Sequence, residues 1–397
     1  MTLLRNAAVV RPNEVIADGW VLTSGDRIVA FGSSADEVPG SGEVADSTSE
    51  TFDLGGAYLV PGFVDMHVHG GGGASFTTGD PQEALRAIEF HRSHGTTTNI
   101  ASGVTAAISD LEKQVSELAG LVEDGQLAGL HLEGPFLSAV RCGAHDPALL
   151  RAPELPVLDQ LVAAGRGTIR MVTLAPELPG GLDAVKWLAD HGIIAAVGHT
   201  DAAAPDARSA LNRGASVATH LFNAMRGLQH RDPTAANALL SDTEAILELV
   251  NDGFHVDPSL ISLVFKMVGA GRVALITDAV SAAGMPDGPY RLGPLDIEVA
   301  DGVARLTDSD ALAGSTMTMD VAFRRAVQVI GLPIEQASLA ASLTPARAIG
   351  VDDRVGSIEV GKIADLVVLG PELRVSAVMS RGAWVGDAKL PKPVNVS

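Results

Sequence analysis

Two histidines, His67 and His69, stand one residue apart at the end of an apolar run in PGFVDMHVHG, residues 61–70. Residues two apart on a β-strand point to the same face, so both imidazoles are expected to share one face. Other polar residues also follow apolar runs, namely Glu133 in HLEGPF, His199 in VGHT, His220 in THLFN, His255 in NDGFHV and Asp278 in ITDAV. Imidazoles and carboxylates bind divalent transition metals, so a metal site is predicted if these positions converge.

The middle of the chain, residues 58–350, alternates apolar runs with helical stretches. Eight runs predict strands: AYLVPGFVDMHVH, TTTNIAS, LAGLHLEG, TIRMVTLAPE, IIAAVGHT, ASVATHLFN, AILELVNDGFHV and RVALITDAV. Eight β/α alternations predict an α/β fold of the (β/α)8 TIM-like barrel type, whose catalytic residues lie at the C-terminal ends of the strands. The alternative is an open doubly wound sheet, but no GxGxxG opens the first unit, and GGGG at 70–73 has the wrong spacing.

In such a barrel the polar strand ends meet at one face. Buried imidazoles and carboxylates without partners are costly, and a divalent cation satisfies them together. Five other residues have structural interpretations. His91 and His94, late in a helix, and His191, before Gly192, fit solvated or dipole-facing positions. His131 and Asp65 share strand faces with Glu133 and His67, and we expect structural or supporting roles for them.

The two ends of the chain differ from the middle. Short strand-like runs, including the hairpin pattern GWVLTSGDRIVAFG, predict a small β-sandwich domain built from residues 1–57 and 351–397, beside a catalytic barrel of 58–350. The Gly/Ser-rich stretch 39–56 predicts a loop, and AKLPKPVNVS at 388–397 predicts a loose tail.

Composition excludes several classes of partner. The formal net charge is −20 and the pI is near 4.8, whereas phosphate-backbone binding needs a basic footprint, so neither nucleic acid nor a membrane surface is an expected partner. The single cysteine, Cys142, excludes a disulfide framework. No window approaches the roughly 18 apolar residues of a membrane span, and no basic-then-apolar leader opens the sequence. We therefore expect a cytoplasmic protein.

The motifs as a set resemble a known family. PGFVDMHVHG is similar to the opening signature of the amidohydrolase superfamily. HLEGPF, GHT, THLFNAM, NDGFHV, ITDA and LAGSTMTM, in this order, resemble the N-acetylglucosamine-6-phosphate deacetylase family, and the resemblance runs on to GKIADLVVL. It implies a homodimer that hydrolyses the acetamide of N-acetyl-D-glucosamine 6-phosphate to D-glucosamine 6-phosphate and acetate, in amino-sugar metabolism.

The resemblance also implies roles for individual residues. Glu133, His199 and His220 match the principal metal ligands, and Asp278 matches the catalytic acid/base. His67 and His69 match the histidines of members that hold two metals, so one or two divalent ions per subunit are expected. Zinc is the expected ion, with iron, manganese, cobalt and cadmium as alternatives.

Substrate contacts follow from the same resemblance. Arg231 in NAMRGLQHRDP matches a phosphate-binding arginine that reaches the neighbouring subunit's site, although by itself it reads as a surface arginine next to Asp232. His145 and His255 match substrate-binding histidines. The remaining predicted substrate contacts are Ala144, Asn223, Ala224, Asp252, Gly253, Phe254, Leu312, Ala313 and Gly314.

The implied mechanism has a metal-bound hydroxide as nucleophile and Asp278 as general base, then general acid. Either the metal or His145 stabilises the oxygen of the carbonyl under attack. Dihydroorotases and hydantoinases bridge their metals with a carboxylated lysine at the end of the fourth strand. The fourth predicted strand here, TIRMVTLAPE, has no lysine, which favours the deacetylase family. Two alternatives remain open: an amidohydrolase for another N-acetyl sugar phosphate or a cyclic amide, and a non-catalytic scaffold.

Overall fold

The structure is a computed structural model that describes residues 1–38 and 50–386. Its strands are β1 (Thr2–Arg11), β2 (Glu14–Ser24), β3 (Arg27–Ser33), β4 (Glu50–Asp53), β5 (Tyr58–Pro61), β6 (Phe63–Val68), β7 (Gly70–Gly71), β8 (Ala74–Ser75), β9 (Thr96–Val104), β10 (Gly129–Glu133), β11 (Ile169–Leu174), β12 (Ile194–Val197), β13 (Ala215–Ala218), β14 (Ile246–Val250), β15 (Val273–Ile276), β16 (Gly288–Leu292), β17 (Leu295–Ala300), β18 (Val303–Leu306), β19 (Leu366–Leu369), β20 (Val375–Ser380) and β21 (Ala383–Trp384).

The helices are α1 (Pro81–Ser93), α2 (Ile108–Glu123), α3 (Leu155–Ala164), α4 (Gly181–Asp190), α5 (Ala204–Asn212), α6 (Ala235–Ser241), α7 (Pro258–Val268), α8 (Met319–Gln328), α9 (Ile334–Ser338) and α10 (Thr344–Ala348). Within the part of the chain that the structure describes, no helix combines the length and the apolarity needed to cross a membrane. The chain forms two compact units, one of Met1–Val64, His91–Thr98 and the residues from Met319 onwards, the other of Asp65–Phe90 and Asn99–Thr318.

The predicted barrel is confirmed. Strands β6 and β9 to β15 form one parallel sheet of eight strands in sequence order. The two edges of this sheet meet, because the amide of Asp278 donates to the carbonyl of His67 at 2.9 Å and the amide of His69 donates to that of Ala279 at 2.8 Å. The open doubly wound alternative is therefore excluded.

The barrel strands are buried on both faces, as expected where helices cover a parallel sheet. All residues of β6, β10 and β15 are buried. Helix α2 shows the matching pattern, since it buries Leu111, Val115 and Leu118 along one stripe. Polar side chains inside such strands need partners, which concentrates chemistry at the strand ends.

A three-stranded antiparallel sheet, β16 to β18, is inserted after β15, and the sequence did not predict it. Leu292, Ile297 and Val299 from this insert share an apolar cluster with Val280 and Val104. The cluster fixes the insert beside the end of β15, where the candidate site lies.

The terminal strands form a separate mixed sheet in the order β21-β20-β19-β5-β1-β2-β3, with β4 also paired to β1. Its core includes Leu4, Ile28, Leu59, Leu366 and Met379. The predicted hairpin of β2 and β3 is confirmed. The domain boundaries predicted from the sequence stay a prediction.

Two predictions in this region were wrong. AYLVPGFVDMHVH is two strands, because β5 pairs with β19 in the terminal sheet whereas β6 belongs to the barrel. The break falls at Gly62, where an added Cβ would lie 2.1 Å from Oγ1 of Thr97. The predicted loop 39–56 contains β4, whose Thr51 and Phe52 are buried by parallel pairing with β1. Residues 39–49 and the predicted tail, 388–397, lie outside the described residues.

Candidate active site

The polar residues predicted at the strand ends converge. Glu133 ends β10, and His199 and His220 lie just beyond β12 and β13. Oε1 of Glu133 lies 3.1 Å from Nε2 of His199 and 2.9 Å from Nε2 of His220, and these two nitrogens are 3.0 Å apart. One carboxylate oxygen and two imidazole nitrogens therefore meet at one point.

A second histidine pair lies on the other side of the same carboxylate. The Nε2 atoms of His67 and His69 are 3.2 Å apart, and they lie 3.5 Å and 3.2 Å from Oε2 of Glu133. Oδ1 of Asp278 is 3.2 Å from Nε2 of His69. Glu133 therefore stands between two pairs of histidines, with Asp278 beside one of them.

Hydrogen bonds at the far side of the rings fix which nitrogen faces the site. Nδ1 of His69 lies 3.1 Å from the carbonyl of Ser102, and Nδ1 of His199 lies 2.9 Å from the carbonyl of Arg141. A carbonyl only accepts, so both Nδ1 atoms carry the proton and both neutral rings present an Nε2 lone pair. Lone pairs and a carboxylate at hydrogen-bond distance repel unless a positive charge lies among them, and this donor set suits a divalent cation.

The acid–base behaviour of the metal-free site indicates the same requirement. Burial opposes charging of His69, but hydrogen bonds to Asp278 and Glu133 raise its pKa to about 9. Despite burial, Glu133 and Glu248 likewise raise the pKa of His67 well above its ordinary value. Burial also opposes ionisation of Asp278, yet contact with His69 holds the pKa of Asp278 well below its usual range. Without a metal, protons on His67 and His69 supply the positive charge.

His145 differs from the other histidines of the site. The amide of Thr105 donates to its Nδ1 at 3.3 Å, and Oγ1 of Thr105 lies 2.8 Å from the same atom. Because Nδ1 accepts, the proton sits on Nε2, which lies 3.5 Å from Oε2 of Glu133. Although its position beside Glu133 and His199 would allow metal binding, this tautomer makes His145 a hydrogen-bond donor into the site.

A pocket opens onto these groups. Twelve of the residues predicted for the site line it: His69, Glu133, Ala144, His145, His199, His220, Asn223, Ala224, His255, Asp278, Leu312 and Gly314. Three further lining residues were not predicted from the sequence: Gly143, Leu292 and Ala311. Leu292 comes from the unpredicted insert. Among the described residues, neither Lys nor Arg belongs to this lining.

The other predicted substrate residues lie outside the lining. Asp252 lies behind His255, because its Oδ2 is 2.6 Å from Nδ1 of His255. Phe254 is 57% exposed, and Gly253 precedes it in the same turn. Ala313 is buried in the cluster of the insert. Arg231 is exposed, whereas its neighbour Arg226 forms an ion pair with Asp232.

Comparison with known proteins identifies the family. The model of the amidohydrolase family matches residues 58–385. The chain belongs to this family. One similar solved structure is that of N-acetyl-D-glucosamine-6-phosphate deacetylase from Mycobacterium smegmatis, an Asp-to-Ala mutant in complex with N-acetyl-D-glucosamine-6-phosphate. Its sequence is 46% identical to this chain, and the match covers 97% of this chain and 99% of that chain with a TM-score of 0.91.

Two curated relatives of this amidohydrolase are also similar. N-acetylgalactosamine-6-phosphate deacetylase of Escherichia coli O157:H7 is 39% identical over 82% of this chain and 86% of the relative. N-acetylglucosamine-6-phosphate deacetylase of Vibrio furnissii is 35% identical over 86% of each chain. Both relatives are deacetylases of amino-sugar phosphates.

The backbone of the amidohydrolase site is strained. His199, His220 and Asp278 have φ values of 45°, 27° and 51°, in the left-handed region that residues other than glycine rarely adopt. Such strain is common at functional sites, where the surrounding fold enforces it. Here it turns three side chains into the space above the strand ends.

The polar layer beneath the amidohydrolase site contains residues with supporting contacts. Nδ1 of His131 lies 2.9 Å from Oγ of Ser102, and Nε2 lies 2.8 Å from Oγ1 of Thr173, in agreement with the predicted structural role. Asp65 accepts hydrogen bonds from the amides of His67 and Thr277 and from the Thr277 hydroxyl, so it supports the strand ends.

Three further polar residues, His91, His191 and Glu248, differ in how well the sequence predicted their surroundings. His91 was predicted to be solvated or dipole-facing; it is fully buried, which excludes the solvated alternative, and it lies in the last turn of α1, which agrees with the dipole-facing one. His191 is exposed, as predicted, and the structure also shows its ring stacked on Trp187. Glu248 was missed although it contacts His67, and the available signal was a carboxylate inside the apolar run AILELV.

Proposed function

We propose that this amidohydrolase cleaves the acetamide of N-acetyl-D-glucosamine 6-phosphate, giving D-glucosamine 6-phosphate and acetate in amino-sugar metabolism. The observation that carries the proposal is the meeting of Glu133, His199 and His220 beside Asp278. The mycobacterial deacetylase that was crystallised with this sugar phosphate supports the choice of substrate, because it matches nearly the whole chain.

Glu133, His199 and His220 would hold one divalent ion, and His67 and His69 with Glu133 would hold a second. A bound cation would supply Lewis acidity and lower the pKa of a water molecule. We propose zinc, with iron, manganese, cobalt and cadmium as alternatives, since imidazole and carboxylate ligands accept all of them.

Asp278 is proposed to move the proton of the reaction. Its carboxylate is ionised at neutral pH and can therefore accept a proton. It accepts a proton from the attacking water as oxygen bonds to the acetamide carbon. It then donates this proton to the nitrogen as the C–N bond breaks, so the amine leaves neutral and acetate is released.

His145 and His255 are proposed to contact the substrate. The Nε2–H of His145 suits the carbonyl oxygen, which becomes anionic during attack, because this donor is already fixed by Thr105. His255 is held by Asp252 and directs Nε2 towards Asp278, 3.8 Å from Oδ2. Asn223, Ala224, Leu312 and Gly314 line the rest of the pocket and are proposed to contact the sugar.

The phosphate group needs a positive charge that the pocket lining of one chain lacks among its described residues. A chain with a formal net charge of −20 makes a local cation more important for binding an anion. We propose that the exposed Arg231 of one subunit binds the phosphate at the neighbouring site of a homodimer, since a guanidinium pairs well with phosphate oxygens.

N-acetylgalactosamine 6-phosphate is the second candidate substrate, favoured by the 39% identity to the E. coli deacetylase of that sugar. The test is kcat/KM for both sugar phosphates and for unphosphorylated N-acetylglucosamine. We expect N-acetylglucosamine 6-phosphate to give the highest value. A higher value for the galactose epimer selects the second candidate, whereas metal-loaded protein that is inert on all three sugars contradicts the proposal and leaves the cyclic-amide and scaffold alternatives.

A further inference from the structure

Glu248 is a fully buried carboxylate that touches one member of each histidine pair. It lies within β14, and its relative exposure is 0%. Its Oε2 lies 3.0 Å from Nδ1 of His67 and accepts a hydrogen bond from the backbone amide of His220 at 3.0 Å. Glu248 is outside the pocket lining, so it acts on the site only through these neighbours.

We propose that Glu248 is a positioning residue that makes the His67/His69 pair competent to bind a metal. An acceptor at Nδ1 keeps the proton of neutral His67 on that atom, so the Nε2 lone pair faces His69 and Glu133. The same oxygen holds the amide of His220, whose φ of 27° needs support. This role rests on the metal site of the proposed function but on no particular substrate.

The packing of Glu248 supports a role in the site over a role in stability. Its second oxygen, Oε1, is buried and has no hydrogen-bond partner within residues 1–38 and 50–386. A buried carboxylate in that state is unfavourable, and an apolar side chain of similar size would fill the space without this penalty. The positive charge of a metal ion bound by His67 would compensate the buried carboxylate of Glu248.

Both hydrogen bonds of Glu248 use the same oxygen, Oε2, so two variants can separate its role as an acceptor from its role in packing. E248Q can keep one carbonyl oxygen at the Oε2 position, so both hydrogen bonds remain while the charge is lost. E248L has a similar volume but loses the acceptor. A role that depends on hydrogen-bond acceptance therefore predicts that the two variants behave differently, whereas a packing role predicts that both behave alike.

The experiment titrates chelator-stripped full-length protein with Zn²⁺ and counts bound ions per chain by calorimetry and elemental analysis. We expect two ions in the wild type and in E248Q. In E248L we expect the ion at His67 and His69 to be weakened about 10- to 100-fold. The ion at His199 and His220 should be weakened less, because Glu248 contacts only the backbone amide of His220 and not its ring. His67→Asn, which removes the ligand itself, provides the reference for loss at this position.

Several outcomes overturn the proposal: a wild-type chain that binds one ion, E248L with two ions at wild-type affinity, or E248Q as defective as E248L. Should E248L not fold, ¹⁵N shifts of the His67 ring in E248Q decide, because the proposal requires the Nδ1–H tautomer to persist and a switch to Nε2–H contradicts it. None of these measurements needs turnover, so failure of the deacetylase assay is distinguishable from failure of this role.

Discussion

The rings of His145 and His199 lie 4.5 Å apart between centroids and are held in opposite tautomers. Nδ1 of His145 accepts from Thr105, whereas Nδ1 of His199 donates to the carbonyl of Arg141. The two histidines therefore offer different groups to the same pocket, one an N–H donor and the other a lone pair. This division supports the proposed roles, in which His145 contacts the substrate and His199 holds the metal.

Replacement of His145 by alanine is expected to lower kcat about 10²- to 10³-fold, the usual effect of removing one donor to a developing oxyanion. Metal content should stay at the wild-type value. The matched control is His199→Ala, which should lose metal as well as activity. Elemental analysis beside steady-state kinetics checks both, and metal loss in the His145 variant would show that it is a ligand.

Asp278→Asn is expected to lower kcat by about 10² to 10⁴, since the amide cannot accept and return the proton. Metal content should be unchanged, because Asp278 is proposed as the acid/base and the histidines with Glu133 as the ligands. Kinetics and elemental analysis of the purified variant check this. Near wild-type turnover would remove Asp278 from the reaction.

Arg231→Ala is expected to raise KM for the phosphorylated sugar about 10- to 100-fold, the range for loss of a hydrogen bond to a charged group. The matched control in the same loop is Arg226→Ala, which removes an equal charge that is already paired with Asp232 and should leave KM unchanged.

Mixed dimers test whether Arg231 acts on the neighbouring subunit. A dimer of one Arg231→Ala and one Asp278→Asn subunit has one site with both an intact aspartate and an arginine from its partner. At a substrate concentration well below the KM of the Arg231→Ala variant, mixing the two variants should therefore give more activity than either variant alone. No recovery after demonstrated subunit exchange would place the arginine in its own subunit's site or outside both.

The stability of the metal-free protein is expected to fall as the pH rises from about 6.5 to 9. The folded pKa of His69 is about 9, above its ordinary value of 6.5, so this contribution is complete below pH 6.5 and is lost as the pH rises through 9. Bound metal replaces the proton and should flatten the dependence. Calorimetric Tm over this range, with chelator and with metal, checks this; equal slopes would contradict the account.

Much of the site was predictable because its residues end strands. In a parallel barrel all C-terminal strand ends meet at one face, so Glu133, His199, His220 and Asp278 could be placed together from their position after apolar runs alone. The eight barrel strands followed from the same alternation, except that the first predicted run also included β5 of the terminal sheet. Distances and tautomers were not predictable, because they depend on partners such as Thr105 and the carbonyl of Arg141.

Other features carried a weak signal or none. Glu248 sits among apolar residues of a strand that is buried on both faces, so periodicity does not show that it points at His67. His91 has the sequence setting of a solvated helix end, yet tertiary packing buries it. The insert β16 to β18 interrupts the β/α alternation. No sequence pattern predicts that its Leu292 lines the pocket.

The central claim is that Glu133, His199 and His220, which lie far apart in the sequence, bind a common cation beside the ionised carboxylate of Asp278. The most direct test is acetate release from N-acetylglucosamine 6-phosphate by purified, chelator-stripped and metal-restored protein. The account predicts steady acetate release, its loss after stripping, and recovery when Zn²⁺ or another of the proposed ions is added back. Undiminished acetate release by protein that elemental analysis shows to be free of metal would contradict it.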